Sequence, residues 1–166
     1  MQFNWIALFA AALIPLVIGG IWYNPKVLGN AWMRSAGLNE EQLKGGNMAV
    51  IFGLTYLLGL FIAAVLITVV IHQAHIGSVL MSEPGFNDPE SDIARLLADF
   101  QEKYGRNFRT FKHGAFHGGL AGFLFAMPVL GINALFERKG GKYVAIHAGY
   151  WVVTMALMGG VICAYL

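Results

Sequence analysis

Read by hydrophobic and polar positions, the chain divides into four long apolar runs separated by shorter polar stretches. The runs are Trp5 to Trp22, Met48 to Ile71, His113 to Phe136 and Tyr143 to Leu166. The third is the clearest, holding no acid, lysine or arginine between its ends. At 1.5 Å per residue its roughly 24 residues make about 36 Å of helix, enough to cross a hydrocarbon core with some tilt. The first run reads as a true span, because its first positive side chain, Lys26, lies beyond it, where a cleaved leader would carry its charge in front. Pro15 inside that run needs neighbours that satisfy the carbonyl it frees. The pattern predicts an all-α membrane protein with four transmembrane helices arranged as two hairpins.

Small residues add a second periodicity. Gly114, Gly118 and Gly122 recur every fourth residue, with Ala126 one turn on, so one face of the third span is a smooth groove. Ala156, Gly160 and Ala164 make a similar stripe on the fourth span, and Gly59 and Ala63 a shorter one on the second. Such grooves let helix backbones approach closely in lipid, where van der Waals contact replaces the hydrophobic drive. A face of this kind also predicts a homo-oligomer.

The polar stretches carry their own signals. From Trp22 to Gly46 the chain offers Trp22, Tyr23 and Trp32 as interfacial anchors, Pro25 as the opening of a short helix, and Asn39 with Gln42 as a capping box stopped at Gly45. Residues 73–112 form the one sizeable extramembrane loop. Within it Asp88-Pro89 predicts a helix from about 89 to 104, with Ile93, Leu96, Leu97, Phe100 and Tyr104 at helical spacing and charge mostly elsewhere. This amphipathic helix is too short and too charged to span. It packs on the bundle or lies on the bilayer surface.

Composition sharpens the class. Of 166 residues, 57% are hydrophobic and 12% charged, half the charge of a soluble domain, so lipid is the main solvent. A net charge of +2 gives no reason to expect a nucleic-acid partner. The single cysteine, Cys163, excludes an internal disulfide and reads as a small buried apolar side chain. Loops one and three carry Lys26, Arg34, Lys44, Arg138, Lys139 and Lys142, against Arg95, Lys103, Arg106, Arg109 and Lys112 on the other side. That difference of one basic residue places both termini and the long loop outside the cytoplasm of a bacterial inner membrane.

Lys44-Gly45-Gly46 before span two echoes Lys139-Gly140-Gly141 before span four, and Ile14-Pro15-Leu16-Val17 resembles Met127-Pro128-Val129-Leu130. Two hairpins of the same orientation would form a parallel internal repeat. Gly20-Ile21-Trp22-Tyr23-Asn24-Pro25, then Gly29, Trp32, Arg34 and Gly37, resembles the first hairpin of an uncharacterised membrane family, domain of unknown function 1761. His113-Gly114, His117-Gly118, Pro128, Leu135-Phe136-Glu137, Gly149-Tyr150 and Met158-Gly159 are similar to the second half of its bacterial members. The resemblance covers nearly the whole chain, apart from the amphipathic helix of the long loop. It implies a small four-span bacterial membrane protein and brings no established activity or catalytic residues.

The candidate chemistry is histidine. Span two ends, and span three begins, on one membrane face, which brings His72, His75, His113 and His117 near each other. Spacings of three and four residues let two imidazoles on one helix meet one ion. Neutral imidazole suits zinc, copper, nickel or iron, with Glu83, Asp88, Glu90 or Asp92 as oxygen donors, and a bis-histidine haem is the other cofactor in view. His147 stands alone at the opposite face and reads as a helix-to-helix hydrogen bond. No phosphate-binding loop predicts a nucleotide, and neither Gly-x-Ser-x-Gly nor HExxH occurs. The spans contain no Asp or Glu, against a proton-coupled pump. Three readings remain: a non-enzymatic structural or partner-binding membrane module, a metal- or haem-binding protein, and a passive channel for a small solute.

Overall fold

The computed structural model describes residues 3–166. The chain is helical, with four helices long and apolar enough to cross a membrane: Trp5–Trp22, Met48–Val70, Phe111–Phe136 and Gly141–Tyr165. In chain order the elements are α1 (Trp5–Trp22), a π-helical turn (Pro25–Gly29), α2 (Asn30–Ala36), α3 (Glu40–Lys44), α4 (Met48–Val70), α5 (Gln73–Leu80), α6 (Asp92–Tyr104), α7 (Phe111–Ala121), a second π-helical turn (Gly122–Ala126), α8 (Met127–Phe136) and α9 (Gly141–Tyr165). The third span is therefore α7 and α8 joined through a widened turn. The family-scale expectation of an all-α, multi-pass membrane protein holds.

Local signals explain most of the boundaries. Asn4, Asn47 and Thr110 cap α1, α4 and α7, each accepting a backbone N–H of the first turn. Asn39 and Gln42 form the reciprocal capping box at α3. The amphipathic helix begins three residues later than its sequence suggests. The Asp88 carboxylate bonds the nearby Glu90 N–H, and Ser91 takes the cap position by accepting from Ala94. Asp88-Pro89 thus makes the turn before the helix. α5, by contrast, has no strong cap or stop and was not expected as a separate helix.

α9 is the axis of the bundle, packed against α1, α4, α7 and α8. Half of its spanning window is buried, against 11% for the third span, so the third span lies on the outside with one face on α9. The core is apolar, built from residues such as Ala11, Ala63, Leu66, Val70, Met158 and Ile162. Pro15 is fully buried within an unbroken α1, and the Tyr150 hydroxyl donates to the Pro15 carbonyl at 2.8 Å.

The glycine groove closes within the chain. A methyl group on Gly114 would strike the Gly159 carbonyl, one on Gly118 the Met155 carbonyl, and one on Gly122 the backbone of Val152. Gly159, rather than Gly160, is the close partner of Gly114, while Gly160 receives the Phe111 ring. Because α9 occupies the groove, an oligomer would have to use another face. Gly59 likewise admits the backbone of Ala12 between α1 and α4.

Candidate metal centre

α4 stops at Val70 because Ile71 leaves helical geometry, with φ −111° and ψ 90°. The chain turns at His72 and restarts as α5 at Gln73. In a continuous helix His72 and His75 would share a face. The break at Ile71 precedes both, and the His75 N–H bonds the His72 carbonyl at 3.1 Å, so the two stay in one turn; His72 meets the start of α7, and His75 stands exposed on α5.

On α7, Gly114 and Gly118 lie against α9, and His113 and His117 project from the neighbouring stripe. The His113 and His117 rings lie 4.4 Å apart, with His72 at 5.0 and 4.9 Å from them. The Nε2 atoms of His72 and His113 are hydrogen bonded at 2.9 Å, one ring carrying the shared proton. One ligand nitrogen from each of the three residues lies within 4.8 Å of the others. Phe108 stacks on His113, its ring 5.2 Å away and tilted 29°. Its backbone sits in the left-handed region at φ 60°, a conformation a bulky residue rarely adopts.

These residues fit a small metal ion. Zinc–nitrogen bonds of about 2.0–2.1 Å place tetrahedral ligand atoms roughly 3.3 Å apart, within the range that the three imidazoles already span. Three protein nitrogens leave one coordination position for water or another small ligand. The group is narrower than the sequence alone suggests. His75 is not part of the cluster, and neither are Glu83, Asp88, Glu90 or Asp92. Haem does not fit either, since axial imidazoles must face each other across a macrocycle, whereas His72 and His113 touch directly.

A family model described as a protein of unknown function (DUF1761) matches residues 6–163. The chain belongs to that family. The matched range runs through all three clustered histidines and the long loop that the sequence set apart as an elaboration. No curated relative and no solved structure gives a significant match. The DUF1761 description names no activity, so the functional argument rests on geometry.

A second polar group stands at the other end of the bundle. The Trp22 indole donates to the Ile146 carbonyl at 3.1 Å, and the Tyr23 hydroxyl lies 2.9 Å from Nδ1 of His147. Burial, with Tyr150 and Tyr143 nearby, pushes the Tyr23 phenol far above its ordinary range, so it stays protonated. We therefore assign its O–H as the donor to Nδ1, which leaves the proton of His147 on Nε2. Among the described residues that nitrogen is buried without a protein partner. Trp22 and Tyr23 thus turn their polar atoms onto α9, and Tyr23 also packs edge-on against Trp32. Lys139, counted in the sequence for its charge, donates at 2.7 Å to the Ala36 carbonyl at the end of α2. It ties the first loop to the third.

An apolar cleft is separate from both groups. It encloses about 680 Å³ between α4, the third span and α9, with Phe61, Val65, Phe125, Val129, Trp151 and Met155 among its walls and no histidine. It is a hydrocarbon-lined surface, and the candidate chemistry lies elsewhere.

Proposed function

We propose that this membrane protein holds one divalent transition-metal ion at a membrane rim through His72, His113 and His117. The observation that carries the reading is the convergence of three imidazole nitrogens within 4.8 Å of one another, drawn from two helices 41 residues apart in sequence. Borderline-soft imidazole favours zinc, copper, nickel or ferrous iron over magnesium or calcium. An ion there would clip the end of the second span to the start of the third. In this reading the protein sits in a bacterial inner membrane, with both termini and the long loop outside the cytoplasm.

The test uses protein purified without chelator or histidine tag, followed by elemental analysis and titration with zinc or cobalt. One equivalent per chain is expected, lost in His113→Ala with His117→Ala and retained in His75→Ala. Equal metal content in the double variant would overturn the assignment.

The other two readings have less support. The glycine stripe is occupied inside the chain, which removes the main argument for oligomerisation through it. Among the described residues the buried set is apolar apart from Thr154 and the Tyr150 hydroxyl, which is already bonded to the Pro15 carbonyl, and this gives a polar path for a solute little support.

A further inference from the structure

Residues 103–112, KYGRNFRTFK, run from the last turn of α6 into the first turn of the third span. They contain Lys103, Arg106, Arg109 and Lys112 and no acid. Two of these cations have protein duties: Lys103 pairs with Asp99 at 2.7 Å, and Arg109 donates to the Cys163 carbonyl at 2.8 Å. Arg106 and Lys112 are exposed, and among the described residues neither has an ion-pair partner. Three aromatic rings interleave with them, and all are exposed: Tyr104 at 49%, Phe108 at 68% and Phe111 at 41%. The unusual backbone of Phe108 holds one such ring at this juxtamembrane bend.

The segment cannot lie far from the bilayer. Thr110 caps α7 directly, so Lys112 already belongs to the spanning helix. Gln73, three residues beyond the end of α4, donates to the carbonyls of Tyr104 and Asn107 at 3.2 and 2.7 Å. The basic stretch is therefore held against the exit of one span and the entrance of another. Cations at that height meet lipid phosphates, and aromatic rings are at home among headgroups.

We infer that residues 103–112 form a binding surface for anionic glycerophospholipid, with Arg106 and Lys112 engaging the headgroup and Tyr104 and Phe108 entering the interface. Each free cation near an anionic surface favours association by about fivefold at low ionic strength. The contact would weaken as salt shortens the screening length.

The experiment places the full chain, carrying Phe108→Trp, in vesicles of mixed phosphatidylcholine and phosphatidylglycerol, with bromine on the acyl chains of one lipid at a time. Quenching of the parent protein is subtracted to isolate the new tryptophan. Brominated phosphatidylglycerol should quench several-fold more than phosphatidylcholine at equal mole fraction. The preference should disappear at about 0.5 M salt, and in a variant that adds Arg106→Gln and Lys112→Gln. Because the salt series leaves the cations intact, it tests the inference even if the triple variant fails to fold. Equal quenching by both lipids would overturn headgroup selection, and quenching by neither would overturn membrane contact.

Discussion

At Gly118 a hydrogen atom stands where any side chain would enter the Met155 carbonyl. Backbone on both sides leaves no flexible group to yield, so overpacking should dominate any gain in helix propensity. Gly118→Ala should cost about 1–3 kcal/mol in reversible unfolding from mixed micelles. Gly53→Ala, on a helix surface with nothing nearby, should be neutral or stabilising by up to about 1 kcal/mol. Equal effects at the two sites would disprove the close approach. Tyr23→Phe removes the hydroxyl bonded to His147. Hydrogen bonds between membrane helices average about 0.6 kcal/mol, but the partner nitrogen left unpaired raises the expected cost to about 1–2 kcal/mol. A double-mutant cycle with His147→Leu should recover a coupling of that size. The glycines were legible in the sequence because their spacing is local; their actual partners depend on helix rotation, and so Gly159 displaced Gly160.

Among the elements, α6 packs on α5 rather than on a spanning helix, and its start rests on one serine. Ser91 accepts from Ala94 and donates to the Gly85 carbonyl at 2.7 Å. Ser91→Ala should cost the helix about 1 kcal/mol, seen as faster amide exchange over residues 92–97 with the unfolding midpoint of the bundle unchanged. A matching loss in the bundle would show that α6 is part of the cooperative core. The sequence marked the amphipathic stripe of α6 plainly and misplaced its first turn, because Asp88-Pro89 and Ser91 are both valid starts on local grounds. α5 was invisible for a different reason. It is only 8 residues long, it opens a stretch that reads as loop, and the break at Ile71 has no Gly or Pro to announce it.

For the whole molecule, the histidine cluster makes a prediction that neither helix makes alone. Metal bound to the folded state and not to the unfolded chain should stabilise it by about 2.7 kcal/mol at one hundred times the dissociation constant. The gain should show as a rise in unfolding temperature on adding zinc, absent in the variant lacking His113 and His117. Ligand nitrogens must be free of protons, so acid should release the ion, and the steepness of that release reports how many imidazoles compete. A metal-induced rise that survives loss of both histidines would point to another site. The same clip would slow exchange at residues 72–75 and 108–117, since it joins their two segments.

What the sequence determined by itself is the class: four apolar runs of spanning length, the capping box at Asn39, and a family resemblance that the matched residues 6–163 establish. These are properties of composition, length and near-neighbour spacing, which a chain carries before it folds. Tertiary structure decided the membership of the site. His75 is as close to His72 in sequence as a helical partner can be and bonds its carbonyl, yet the imidazoles that gather around His72 are those of His113 and His117, from the far side of the loop. It also gave Trp22, Tyr23 and Lys139 partners on other elements. Which polar atoms meet is set by how helices rotate and pack, and glycine backbones buried against α9 set that rotation here.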